Sequence, residues 1–343
     1  MLDNSLKNGF SGITYLGVSF CGDNVAEAKL LVDRVKDYTN VFVLQSGPIS
    51  HNETATGEIC DYAVSQGLSL IVYFGWFAPD QPWRYPWIQN ATQKYEDKFL
   101  GVYYYDEPGG SQIDYDWTSY FNGVYNNLES GGDNSLYQNI SDSIKGYLNG
   151  TIRDYDAEAN IFTNHLQNHV DLNLLRKDNI TTFVSDYALY WWDYLGGYDV
   201  VFTQLGWNNS AIQEIDLIKG AAHLQSKEWG AIATWKYSNE PYLGNGEEIY
   251  NQLLLAYKAG AKYLIIFDYP TIDGNPYGVL TDEHFEALQT LWVDINNPAA
   301  KRLTKPEAVL VLPKNYGGSL RHAKDRVWLW GPDENSQQIW GIT

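Results

Sequence analysis

Basic residues are scarce. The chain has 23 Lys and Arg against 42 Asp and Glu, a net charge of −19 over 343 residues. Nucleic acids and anionic membranes are polyanions, so this balance excludes both as partners. No basic patch or glycine-rich phosphate loop offsets it. Long apolar runs are missing too: nothing approaches the roughly 20 residues that span a bilayer. Residues 1 to 12 are polar and lack the basic and apolar regions of a signal peptide. Cysteine is limited to Cys21 and Cys60. A bridge between them is geometrically open, and so is a pair of buried thiols, so cysteine leaves the compartment undecided. There is no internal repeat and no low-complexity tract.

Aromatics, in contrast, are abundant: 27 Tyr, 13 Trp and 12 Phe. Tyr and Trp join an apolar face to a polar tip, which suits interfaces and the C–H faces of sugar rings. Six Asn-x-Ser/Thr sequons begin at Asn52, Asn90, Asn139, Asn149, Asn179 and Asn208. With the shortage of Lys and Arg they favour a secreted or surface-displayed glycoprotein.

Short apolar runs alternate with longer amphipathic ones, the βα pattern of a parallel sheet. Strands are predicted at Ile13–Phe20, Val41–Gln45, Leu68–Phe74, Leu100–Asp106, Thr182–Tyr187, Val200–Leu205, Gly230–Lys236 and Tyr263–Asp268. Helices are predicted at Val25–Tyr38, Thr54–Gln66, Ala211–Lys227, Glu247–Ala259 and Asp282–Val293, several behind a capping residue. Eight such units with right-handed crossovers give an α/β fold, a closed (β/α)8 TIM barrel. The barrel would cover residues 1–300, with an insertion after strand four at about 130–180. The insertion is read as helices around Trp117–Leu128, Ser141–Leu148 and Asn164–Leu175. Residues 301–343 form a short C-terminal extension with a strand-like run at Ala308–Leu312 and an aromatic segment at Val327–Trp340. The abrupt end after Trp340 points to an appended subdomain or a longer protein.

The most telling stretch is Gly-Val-Tyr-Tyr-Tyr-Asp-Glu-Pro-Gly-Gly at 101–110, an aromatic strand running straight into Asp106 and Glu107. Acids at a strand end cost desolvation unless they have partners or work. In a barrel, chemistry gathers in the loops after the strands. Asp186, Glu240 and Asp268 are predicted on the same face. Two carboxyl groups are what glycoside hydrolysis requires, one to protonate the leaving oxygen and one to act as base or nucleophile. Asp106 beside Glu107 would raise the proton affinity of Glu107 by like-charge repulsion. The competing reading has these acids bonding loop N–H groups or pairing with Arg84 or Lys236. Seven of the 13 Trp (Trp76, Trp83, Trp87, Trp191, Trp192, Trp207 and Trp235) fall on this face. They are read as a wall for carbohydrate, against the plainer reading of loop packing.

Tyr105–Asp106–Glu107–Pro108 after strand four resembles the Asn-Glu-Pro signature of the retaining (β/α)8 glycoside hydrolase clan. The resemblance implies that Glu107 is the acid/base and that a second glutamate ends strand seven. Asp106 stands where that clan has asparagine, and Glu240 lies several residues past the expected position. The second carboxylate is therefore open among Glu240, Asp268 and Asp186. Tyr105, Trp76, Asp186, Trp192, Trp207, Trp235 and Lys236 are the candidate substrate-binding residues. A salt bridge is the preferred reading of Lys236, and a Schiff base the rival one. His165 and His169, four apart on a helix, have a metal-binding spacing but no third ligand. The expected activity is cleavage of an oligo- or polysaccharide with no metal or organic cofactor. The alternative is a catalytically silent glycan-binding barrel, and the oligomeric state is left open.

Overall fold

Eight parallel strands close into one barrel in the order β1-β2-β3-β4-β5-β6-β7-β8, with β8 pairing back onto β1. They are β1 Tyr15–Phe20, β2 Val41–Leu44, β3 Ser69–Phe74, β4 Phe99–Tyr104, β5 Thr182–Asp186, β6 Val200–Leu205, β7 Glu228–Ala233 and β8 Tyr263–Ile266. The computed structural model describes residues 12–114, 155–297, 308–315, 321, 324–325 and 334–342. The (β/α)8 reading and all eight predicted strands hold, each within a few residues at its ends.

The strands follow from composition. Runs such as Val-Phe-Val-Leu and Tyr-Leu-Ile-Ile are buried throughout because a barrel strand faces a packed interior on one side and helices on the other. The interior is filled by rings. Phe183, Phe202 and Tyr263 meet with centroids 5.3–5.8 Å apart, and Tyr15 stacks on Tyr263 at 5.1 Å. Gly230 makes room for them, since a Cβ there would stand 2.4 Å from the Phe202 ring. Outside, helices begin where short polar side chains cap them. Asn24, Asn52, Ser210 and Asn245 each accept a bond from a first-turn N–H of Val25–Val35, Glu53–Ser65, Ala211–Leu224 and Gly246–Ala259.

Three expectations change. The helix predicted over Asn164–Leu175 is two helices, Tyr155–Gln167 and Val170–Lys177, broken where His169 takes an extended conformation. Ala308–Leu312 is not a strand: it carries no strand hydrogen bonds, and Val309 and Val311 are 76% and 84% exposed. An apolar run becomes a strand only when a neighbour takes its N–H and C=O groups, and the barrel has no free edge to offer. Strand four stops at Tyr104 rather than Asp106. The helices expected at Trp117–Leu128 and Ser141–Leu148, and the sequons Asn139 and Asn149, lie outside the described residues. Of the Val327–Trp340 segment, the described part is the helix Glu334–Ile342. Cys21 and Cys60 are both free thiols.

Candidate active site

Beyond β4 the chain turns sharply. Tyr105 and Glu107 take left-handed backbone angles, φ 63° and 48°. Residues other than glycine pay for that conformation, and it persists only where the surroundings hold it. Here β5 holds it. The Glu107 N–H bonds Ser185 O at 3.0 Å, and Asp186 accepts the N–H groups of Gly109 and Gly110 at 2.6 and 2.8 Å. Those glycines open the short helix Pro108–Asp114.

The two acids of the turn are wired together. Tyr103 Oη lies 2.5 Å from Asp106 Oδ1, and Ser185 Oγ donates to the same oxygen at 3.2 Å. Gln204, on β6, donates from Nε2 to Ser185 Oγ at 3.0 Å and to Glu107 Oε1 at 2.6 Å. Asp106 stays open to water at the mouth, yet protein crowds it on its other sides. Incomplete solvation, and then the charge of Glu107, push its carboxyl up to about 7. Partial burial also raises Glu107, but the Gln204 N–H favours its ionised form and pulls the other way. Both carboxyls are thus raised above the usual carboxylate range, and the two titrate together rather than as separate groups.

The other predicted acids sit differently. Asp268 is 3% exposed and turned onto the Cys21 N–H at 2.9 Å, with Ser19 Oγ at 3.5 Å. Burial pushes it up to about 7, and its charge in turn raises the Cys21 thiol, which burial already lifts. It is enclosed, so it does not offer an open carboxylate to a substrate. Asp186 is fully buried and spends its oxygens on backbone N–H groups, which corrects its reading as a substrate-binding residue. Glu240 is exposed in the turn past β7 and does not join the Asp106–Glu107 network. Lys236 bonds Glu248 at 2.6 Å, so its ammonium is directed to the helix Gly246–Ala259 rather than to the mouth.

The tryptophans divide into rim and core. Trp76, Trp207 and Tyr105 at the tips of β3, β6 and β4 are 58%, 43% and 38% exposed. Trp235 lies half-buried between Trp207, edge-on at 5.4 Å, and Tyr269, stacked at 5.8 Å. Trp192, expected at the site, is buried, and its Nε1 donates to Asn315 of the C-terminal segment at 3.0 Å. Trp87 is buried edge-on to Phe74, and Trp83 and Trp191 are half-buried.

His165 and His169 pack edge-on, and His169 Nδ1 lies 3.2 Å from Tyr104 Oη. Burial holds both neutral, His165 down to about 4, and no metal-binding cluster occurs among the described residues. An open depression of about 680 Å3 lies on the outer wall among helices, lined by Lys29, Glu58, Asp61 and Trp87. It is broad and bounded by the helices Val25–Val35, Glu53–Ser65 and Arg84–Tyr95 rather than by the Asp106–Glu107 network.

No protein-family model matches the chain, and no curated protein matches it. Among solved structures it is similar to the GH99 endo-alpha-mannosidase from Bacteroides thetaiotaomicron, at 11% identity and TM-score 0.45 over 82% of this chain and 96% of that one. It is also similar to a Thermobacillus composti GH10 xylanase, at 9% identity and TM-score 0.44 over 81% and 96%. A truncated 3-deoxy-D-arabino-heptulosonate 7-phosphate synthase from Thermotoga maritima scores 0.43 at 8% identity, over 83% and 86%. Likeness this distant, spread over unrelated chemistries, leaves function to the site itself.

Sequence reading missed Tyr103, Ser185 and Gln204. A signal existed. Ser185 and Gln204 each lie two residues beyond an inward ring, Phe183 and Phe202, and successive residues of a strand alternate faces. A polar residue at that parity near the carboxyl end of a barrel strand points into the mouth.

Proposed function

We propose that this chain is a glycoside hydrolase acting on an oligo- or polysaccharide, with Asp106 and Glu107 as its two carboxyl groups. One observation carries the reading: two neighbouring acids, bridged by Ser185 and Gln204, share a barrel mouth with exposed aromatics. Their placement supports a division of labour that differs from the sequence expectation, since Asp106 opens on the mouth and Glu107 is held by Gln204. Asp106, open at the mouth and raised in proton affinity by its surroundings, protonates the leaving oxygen. Glu107, steadied as an anion by Gln204, attacks or stabilises the oxocarbenium-like carbon. Trp76, Tyr105 and Trp207 offer the flat faces against which sugar rings stack. Exposed sequons at Asn52, Asn90, Asn179 and Asn208 support a secreted or cell-surface setting.

The test is turnover of aryl glycosides and polysaccharides by the native chain, Asp106→Asn and Glu107→Gln. Asp106→Asn should lose activity on poor leaving groups yet keep it on dinitrophenyl glycosides, which need no proton. Glu107→Gln should lose both. The reverse pattern would return the donor role to Glu107. Absence of turnover by the native chain across the panel would reject the hydrolase reading, and carbohydrate binding without turnover would then favour the silent barrel.

A further inference from the structure

The segment after the barrel brings one cation to the back of the site. Arg321 Nη2 donates to Asp114 Oδ1 at 2.7 Å, and its guanidinium lies 4.9 Å from the centre of the Tyr187 ring. Tyr187 Oη in turn donates to Asp114 Oδ2 at 2.5 Å. Arg321 is itself fixed. Its N–H, Nε and Nη2 all bond Asp325, and its carbonyl accepts Trp340 Nε1 at 3.1 Å. Asp114 ends the helix that begins directly after Glu107, and Tyr187 packs against that helix at Gly110.

Building on the reading of Glu107 as the catalytic carboxylate, we propose that Arg321 is a positioning residue for Glu107, clamping the short helix Pro108–Asp114 against β5 from outside the barrel. A guanidinium suits this work because its planar fork serves two carboxylates while its face covers a ring. The segment would then be part of the catalytic unit and not an appendage.

Several charged or titratable groups act on or beside Glu107: Tyr103 from β4 and Asp106 from the turn after it, Asp186 at the end of β5 and Tyr187 just past it, Asp114 from the following helix, and Arg321. Gln204 of β6 bonds it as a neutral donor. Asp114 raises the proton affinity of Glu107 and Arg321 lowers it. These opposite signs make the proposal testable, because Arg321→Met and Asp114→Asn break the same ion pair.

The experiment follows the Glu107 carboxyl by 13C NMR in the full chain labelled with [δ-13C]glutamate, its signal identified by loss in Glu107→Gln. Arg321→Met should move its titration to higher pH, Asp114→Asn to lower pH, and Arg321→Lys should lie between Arg321→Met and the native chain. Where turnover is measurable, kcat of Arg321→Met should fall on the order of tenfold with KM little changed, since misplacing a reacting group acts on the chemical step. The acid limb of its pH profile should move up. If both charge-removing variants shift the titration in one direction, or neither shifts it, the proposal is wrong. If Arg321→Met does not fold, Arg321→Lys carries the decision, since it keeps the charge and loses the planar fork: a lower kcat with KM little changed supports the clamp, and native kcat overturns it. A native chain that turns over nothing, yet shows the opposed shifts, would reject the hydrolase reading and leave the link between Arg321 and Glu107 standing.

Discussion

Gly110 lies flat against the ring of Tyr187: a Cβ at position 110 would stand 2.1 Å from Tyr187 Cζ. The ring cannot yield, because Asp114 holds its hydroxyl and Arg321 covers its face. The second glycine of the Asp-Glu-Pro-Gly-Gly motif is thus a requirement of packing, and it lies three residues from Glu107. Gly110→Ala should cost about 1–3 kcal/mol by overpacking and reduce turnover further by displacing the turn. Thermal unfolding and kinetics on the same preparation check this, and a variant as stable and active as the native chain would refute the contact.

Behind the mouth, Asp193 is fully buried and neither of its oxygens meets an N–H or O–H donor among the described residues. Its partner is the Asp186 carboxyl, so Asp193 keeps its proton, held well above the usual range by burial and by that neighbour. Asp193→Asn supplies a neutral donor in the same shape. It should raise Tm at pH 8 while changing it little at pH 5. A fall in Tm at both values would mean that the pair is not proton-sharing.

Above about pH 6.5 stability should decrease as pH rises. Burial pushes Asp268 up to about 7, and Asp186 and Glu214 up to about 8. In the unfolded chain such groups ionise near pH 4. Between these values the unfolded state releases protons that the folded state retains, so unfolding becomes easier as pH rises. Asp33, bonded to Lys36, and Asp178, bonded by Tyr85, are held down instead, but they are surface groups and weigh little. Below about pH 6.5 the buried, neutral His165 and His169 act in the opposite sense, so calorimetry from there to pH 8 should show the falling Tm, and a flat or rising one would contradict this account.

Rim and core tryptophans should behave oppositely on truncation. Trp207→Ala removes an exposed ring and should weaken binding of an oligosaccharide while leaving Tm nearly unchanged. Trp192→Ala empties a buried site and should cost about 3–5 kcal/mol. Calorimetric titration and thermal melts on both variants separate the two roles. Equal effects would show that the rim is packing.

Lys236 is held by Glu248 and kept protonated, the reverse of what a Schiff-base lysine needs. Borohydride should therefore trap no carbonyl substrate on the chain, and Lys236→Met should keep most of its turnover. Trapped label at Lys236 would revive the lyase alternative.

Local pattern determined the barrel: apolar runs of strand length between amphipathic stretches of helix length, with capping Asn and Ser at the helix starts. The acidic tip of β4 was equally legible, because two carboxylates ending an aromatic strand contradict its own propensity. Which acids and rings act together was not legible. Asp186 and Asp106 look alike in sequence, yet one is spent on the N–H groups of Gly109 and Gly110 and the other opens on the mouth. Trp192 is buried and bonded to Asn315, more than a hundred residues away, whereas Trp207 stands open at the rim. Tertiary structure decided these matters because burial and hydrogen-bond partners come from chain segments distant in sequence, and local spacing carries no record of them.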